Sequence, residues 1–280
     1  MNRRKMLGML VAAVVVAAPA HAQASFQFST GNVDGRMAMA SRPARTGALE
    51  NEAADDFVLT NHTRITSASF IGLVPAGGLP DVSILNVEIY RVFPFDSKDP
   101  PSGKVPTRVN SPSDDAFATR ESGSNLTYTT SVISREFRAQ NSVLNGITVN
   151  GGGDGAVAGQ EVLFTVNFSD AFDLDAGHYF FVPQVQLASG EFYWLSSVRP
   201  IVAPGSVFSP DLQAWIRNSA LDPDWLRVGT DIVGGTPAPT FNGAFTLQGE
   251  VVPEPSTYLL MATGLALLGG FVRRRRTAMH

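Results

Sequence analysis

The segment Glu161–Phe168, "EVLFTVNF", carries the alternating pattern that decides the fold class. Apolar side chains occupy every second position, and only Leu163 interrupts their alternation with polar residues. Successive side chains of a β-strand point to opposite faces of a sheet, so this pattern predicts a strand buried on one face and solvated on the other. The apolar set is Val162, Phe164, Val166 and Phe168, and the polar set is Glu161, Thr165 and Asn167.

The same pattern recurs along the chain between residues 25 and 252. In Phe241–Val251, "FNGAFTLQGEV", apolar residues again lie opposite polar ones. Turns rich in glycine and proline separate such segments, and no apolar repeat of about 3.6 residues indicates a helix among them. We therefore predict an all-β protein in which residues 25–250 form one antiparallel β-sandwich of the jelly-roll type. Further strands are predicted at residues 56–59, 65–73, 85–93, 126–133, 146–149, 179–187, 192–198 and 212–216.

Composition narrows the classes of function. The chain has no cysteine, which excludes disulfides and thiolate metal sites. Residues 25–252 contain 14 basic and 24 acidic residues, a formal charge of −10. Because nucleic-acid binding depends on Lys and Arg that neutralise phosphates, we expect no nucleic-acid partner.

The N-terminus has the three parts of a secretory signal peptide. Arg3, Arg4 and Lys5 precede an uninterrupted apolar run, and two small-x-small boxes follow it. Cleavage after Ala22 or after Ala24 fits these boxes. We expect residues 1–24 to engage the general secretion machinery and signal peptidase. An N-terminal membrane anchor that is never cut is the alternative.

The C-terminus has a second, oppositely arranged signal. Pro253, Glu254 and Pro255 precede residues 256–272, which carry no charge. A helix over these residues is about 25 Å long, just enough to cross a bilayer. An unbroken basic run then stays cytoplasmic by the positive-inside rule. The body of the protein, by which we mean the predicted sandwich of residues 25–250, therefore lies outside. The run consists of Arg273, Arg274, Arg275 and Arg276.

This tail, residues 251–280, resembles the PEP-CTERM sorting signal of exported proteins of Gram-negative bacteria. The resemblance implies that Pro253, Glu254 and Pro255 are recognised by an exosortase, a membrane-embedded enzyme similar to cysteine transpeptidases, which removes the tail. It implies passage through the periplasm and inner membrane to the cell surface or to an exopolysaccharide or biofilm matrix. The alternative for this tail is a single-pass segment that contains Pro-Glu-Pro by chance.

The body has a second, weaker resemblance. Residues 53–72 and 172–187 are similar to strand phrases of secreted bacterial β-sandwich modules.

The residues offer little for catalysis. The body holds only His62 and His178, with no His-Glu-x-x-His motif, and no Gly-x-Ser-x-Gly motif occurs. Carboxylate pairs could serve a glycoside hydrolase, but such residues also close turns by bonding their own backbone. We expect no enzyme and no cofactor. The pairs are Asp55/Asp56, Asp114/Asp115, Asp173/Asp175 and Asp222/Asp224.

Two binding hypotheses remain open. Asp170, Asp173 and Asp175 lie close enough in sequence to share a structural calcium ion. Sugars stack on flat exposed rings, which makes the three tryptophans, Trp194, Trp215 and Trp225, candidate glycan contacts, and burial in the core is their alternative. The expected function is a non-catalytic surface or matrix protein. A glycan-binding module is the second candidate and a hydrolase the third.

Overall fold

The computed structural model describes residues 24–93, 110–144, 147–198, 211–219, 225–253 and 262–269. These residues are mostly in β-strands, with one π-helical segment at Val228–Val233 and an α-helical stretch at 262–269. In chain order, the strands are β1 (Ser25–Ser29), β2 (Val33–Ala40), β3 (Asn51–Leu59), β4 (Thr63–Val74), β5 (Val82–Arg91), β6 (Ala118–Glu121), β7 (Leu126–Ala139), β8 (Asn141–Val143), β9 (Val157–Leu174), β10 (Gly177–Leu187), β11 (Tyr193–Ser197), β12 (Trp215–Asn218), β13 (Leu226–Arg227) and β14 (Phe245–Val251).

The strands form two sheets. In the large sheet, β4 pairs on one side with β9, which pairs with β7. On its other side β4 pairs with β14 and then, further along, with β11. Strand β1 lies beyond β14, and β2 and β8 lie beyond β11. The small sheet has the order β13-β12-β3-β10-β5-β6. All described pairs are antiparallel except β2 with β8, which confirms the all-β architecture.

The core lies between the inner faces of the two sheets. Phe181 of the small sheet stacks on Phe245 of the large sheet with ring centroids 4.9 Å apart, and Phe70 stacks on Phe164 at 5.0 Å. Such contacts bury large apolar areas, and each ring pair adds about 0.5–1.5 kcal/mol beyond area burial. The buried face predicted for β9 is confirmed, because Val162, Phe164, Val166 and Phe168 are all buried. On the face predicted to be solvated, Asn167 is exposed, but Glu161 is only 7% exposed because strands β4 and β7 pair on both sides of it.

One predicted strand is wrong. Of the predicted strand 146–149, the described residues 147–149 lie in bends and turns, and the strand of this region is β8, Asn141–Val143. Asn150 adopts a positive φ of 56°, which a strand cannot continue through. Ile147 is nevertheless buried, so its apolar character reflects a loop residue that packs into the core.

Both terminal signals fall mainly outside the described residues. This applies to the signal peptide up to residue 23, including Ala22, whereas Ala24 is described and exposed. It also applies to Glu254, Pro255 and the arginines at 273–276. Of the span predicted at 256–272, only residues 262–269 are described, and they are helical. No helix among the described residues is long and apolar enough to cross a membrane.

Candidate functional site

The junction between body and tail is held by the first and last residues of the sandwich. Strands β1 and β14 pair in the register Ser25 with Glu250. The backbone amide of Val251 donates to the carbonyl of Ala24 at 2.8 Å, and that of Val252 donates to the carbonyl of His62 at 2.9 Å. Ala24, the last residue of the predicted signal peptide, and Ser25, the first residue of the body, therefore lie beside the backbone that precedes Pro253.

A buried polar group lies on the outer face of the small sheet, and we call it the Arg217 cluster. It consists of Glu52, Glu88, Tyr90, Arg217 and Trp225. The Arg217 guanidinium donates from Nε to Glu52 and from Nη2 to the Tyr90 hydroxyl at 3.1 Å. It also packs over the Trp225 ring, with Cζ 4.5 Å from the centroid. The cluster thereby links β12, β3 and β5.

The Tyr90 hydroxyl lies between two carboxyl groups. Its oxygen is 2.6 Å from Glu52 Oε1 and 3.0 Å from Glu88 Oε2. Burial, followed by repulsion from the Glu52 charge, raises the pKa of Glu88 to about 7. Burial and both carboxylates raise the pKa of Tyr90 above its ordinary value, so the phenol keeps its proton. Since one phenolic proton cannot serve two carboxylates at once, the raised pKa of Glu88 favours its protonated form, which can donate a hydrogen bond of its own.

The geometry of this pair does not fit glycoside hydrolysis. That reaction needs two carboxyl groups about 5–10 Å apart, with the sugar between them. Glu52 and Glu88 contact the same hydroxyl, and Glu52 is only 5% exposed. The space between the two carboxyls is thus occupied by Tyr90. The arrangement stabilises the sheet and leaves no room there for a sugar ring.

The acidic pairs predicted from sequence also have structural partners. Asp55 and Asp56 lie on opposite faces of β3, where Asp55 accepts from the amide of Gly243 and Asp56 from that of Leu212, both at 3.0 Å. His178 lies 2.7 Å from the second Asp56 oxygen. These carboxylates therefore anchor the segments that approach β3 from each side. Asp222 and Asp224 lie outside the described residues, and the Asp114 backbone carbonyl accepts from Arg217.

All three tryptophans are buried, with exposures of 0–1%. Trp194 lies in the core, where its Nε1 donates to the carbonyl of Ala244 at 3.0 Å. Trp215 and Trp225 lie on the outer face of the small sheet, and their Nε1 atoms donate to backbone carbonyls. All three rings are therefore covered, Trp194 in the core and Trp215 and Trp225 on the outer face of the small sheet. None of the three tryptophan rings is accessible for a sugar to stack on.

The three aspartates proposed for calcium do not form a common site. Asp170 pairs with Arg120 at 3.1 Å, and Asp173 pairs with His62 at 2.6 Å. The Asp175 carbonyl accepts from the Tyr179 hydroxyl. In the described part of the chain, no group of three or more acidic, histidine or cysteine side chains is placed to hold a metal ion.

Comparison with known proteins identifies the tail. The PEP-CTERM protein-sorting motif matches residues 251–276, which begin at the last residue of β14. Residues 251–276 therefore carry this sorting motif, and the match concerns this segment alone. The signal directs the protein toward the cell surface and implies an exosortase as its processing partner. No curated protein and no solved structure matches the chain, so the β-sandwich body has no assignment from similarity.

Proposed function

We propose that this protein is exported, held briefly at the inner membrane by its tail, and released from the tail by an exosortase. Residues 1–24 serve as the signal peptide, residues 256–272 as the membrane helix, and the arginines at 273–276 as the cytoplasmic stop. One observation carries the proposal: the matched motif starts where the sandwich ends. The final body hydrogen bond joins Val252 to His62, so cleavage beyond it leaves every described sheet pairing intact.

The body then acts as a non-catalytic protein of the cell surface or exopolysaccharide matrix. Its carboxylates at β3 hold backbone amides, and those of the Arg217 cluster share a tyrosine, which leaves neither group arranged for hydrolysis. Its high negative charge favours solubility and disfavours anionic partners. Hydrolysis is the third candidate, and a hydrolase assay on neutral and acidic glycans addresses it directly.

The strand order supports a jelly-roll assignment for the body. Strands β1-β14-β4-β9 of the large sheet face β3-β10-β5-β6 of the small sheet. Consecutive strands β3, β4 and β5 lie in the small, large and small sheet in turn, and β9, β10 and β11 in the large, small and large sheet. Repeated crossing of the chain between two packed sheets is a feature of the double Greek key.

The sorting proposal is tested by one substitution in the motif. In a host with an exosortase, Glu254→Ala should leave the chain in the inner-membrane fraction with its C-terminal peptide attached. Glu250→Ala is the matched control, because it removes an exposed carboxylate four residues upstream on β14. The control should be processed like the natural chain. Equal processing of both variants would count against recognition of Glu254.

A further inference from the structure

The outer face of the large sheet carries two rows of uncharged polar residues, which we call the neutral face. Each row crosses five strands in the order β1, β14, β4, β9, β7. Directly paired residues of an antiparallel sheet project from the same face, so each row presents its side chains together. One row is Ser29, Thr246, Ser69, Thr165 and Thr129, and the other is Gln27, Gln248, Ser67, Asn167 and Thr127.

The inner face at the same place is apolar, which fixes the outward direction of both rows. Between them lies a row that points into the sandwich, formed by Phe28, Leu247, Ala68, Val166 and Tyr128. All of these are buried except Tyr128, which is half-buried against the core. On the neutral face, Gln27, Gln248, Asn167, Thr127 and Thr129 are exposed, and the other five residues are half-buried.

The absence of charge on this face is unusual for this body. Residues 25–252 carry a formal charge of −10, yet none of the ten positions is charged, and charge returns in the next paired residues of the same strands, Glu250, Arg64 and Asp173. Exposed strands, edge strands above all, ordinarily use charged side chains to prevent association. Strand β7 is an edge strand whose exposed charges, Arg135, Glu136 and Arg138, lie toward its C-terminal end, whereas its part of the two rows presents Thr127 and Thr129. Solubility alone therefore does not account for the composition of the rows.

The rows offer a regular array of hydrogen-bonding groups. Strands are about 4.8 Å apart and alternate residues about 7 Å apart, so five strands span about 19 Å. Each hydroxyl or amide can both donate and accept. Thr246 donates to Ser29 at 3.0 Å across the β1–β14 pair, so these two neighbours in the first row are within bonding distance of each other. The β-branched threonines are restricted at χ1, which reduces the entropy lost on binding.

The chemistry of the face selects one kind of partner. Protein partners need buried anchors such as Trp, Tyr or Arg, and neither row has one. Nucleic acids and anionic membranes need Lys or Arg. An extended polymer with many hydroxyls and no charge matches a continuous array of uncharged donors and acceptors. We propose that the neutral face binds an uncharged polysaccharide, laid across β1, β14, β4, β9 and β7. This inference rests on the proposed export, because it is outside the cell that the protein meets such a polymer.

The test uses the full-length chain in mild detergent, sedimented with pelletable polysaccharides. Cellulose and chitin are the neutral probes, and insoluble cellulose fibres oxidised at their surface to carry carboxylates are the charged counterpart of the first. We expect saturable retention on at least one neutral polymer and weak retention on the charged one. Thr165→Glu should weaken retention at least tenfold, because it places a charge inside the array, on the fourth of its five strands. Thr46→Glu makes the same change in an exposed loop outside the rows and should have no effect.

A second variant guards against the case in which Thr165→Glu loses binding only because it does not fold. Gln248→Glu changes an exposed amide into a carboxylate of the same shape, and we expect it to weaken retention about threefold or more. Near-ultraviolet circular dichroism checks that each variant is folded. No retention on either neutral polymer, or equal retention of the natural chain and both row variants, would overturn the proposal. Processing of the tail is measured separately at the C-terminus, so loss of binding with normal processing leaves the sorting proposal intact.

Discussion

Arg217 lies against the indole of Trp225, with its Cζ atom 4.5 Å from the ring centroid, and its Nε donates to Glu52 of the neighbouring strand. The guanidinium is also 5.4 Å from the Tyr90 ring centroid. Two aromatic rings therefore shield a charge pair whose side chains are only 8% and 6% exposed. Because water cannot solvate either charge there, Arg217 and Glu52 each need the opposite charge of the other to remain buried.

Removal of Arg217 should destabilise the fold strongly. Arg217→Ala leaves Glu52 buried without this cation, which costs about 3–5 kcal/mol of unfolding free energy. Urea denaturation measures the loss. Arg36→Ala is the control, because Arg36 also packs over a ring, that of Phe241, but its side chain is 47% exposed. The control should change stability by less than about 1 kcal/mol. Similar losses for the two variants would contradict the role assigned to the cluster.

Stability should fall as the pH rises through the range between 4.5 and about 7. The pKa of Glu88 is raised in the folded protein to about 7 from an ordinary value of 4.5, so in this range the unfolded chain binds fewer protons than the folded one. Glu88→Gln removes this ionisation. Relative to the natural chain, it should gain about 1–3 kcal/mol between pH 5 and pH 8. Chemical denaturation at both pH values measures the difference, and a constant difference would show that Glu88 ionises normally.

Gly243 should not tolerate a side chain. A Cβ atom there would lie 2.2 Å from Cζ2 of Trp194, which is fully buried and cannot move aside. Overpacking of this kind costs about 1–3 kcal/mol, so Gly243→Ala should lower the thermal midpoint. The smaller ring in Trp194→Phe should make the same alanine less costly, as a double-mutant cycle can show. If the losses of stability caused by Gly243→Ala and Trp194→Phe simply add in the double mutant, the alanine does not clash with the Trp194 ring.

Truncation should locate the end of the folding unit. A chain that covers residues 24–252 keeps β14, in which Phe245 and Leu247 are buried, and should unfold cooperatively. A chain that covers residues 24–244 loses the strand between β1 and β4 and should lack a cooperative thermal transition. Calorimetry compares the two. A sharp transition of the shorter chain at the same temperature would contradict the boundary.

Local patterns predicted the fold class because they depend on neighbouring residues. The alternation in β9 fixed which face is buried, and Phe164 and Val166 lie in the core as expected. Its length was not predictable in the same way, because the strand runs from Val157 to Leu174 through several polar exposed residues. The additional residues pair with β4 and β7, which supply hydrogen bonds that no local pattern records.

Long-range features were not accessible from the sequence. Arg217 and Glu52 are 165 residues apart, and only the pairing of β12 with β3 brings them together. A usable signal was the position of Glu52 next to Ala53 and Ala54 in a strand that is buried along nearly its whole length, since a buried carboxylate requires a partner. The rows of the neutral face likewise depend on the register of five strands. Sequence analysis left the exposure of Trp225 open, and the ring is buried because Arg217 and Tyr90 pack against it from other strands.

The central claim is that the tail is a removable signal attached to a complete body. Intact-mass spectrometry of the protein recovered from its host, with and without the exosortase, tests this most directly. With the enzyme present, we expect a mature chain that retains Val252 and lacks Arg273–Arg276. Without it, the arginines should remain attached. A chain that keeps the arginines in both strains, or one that is cut before Phe245, would contradict the account.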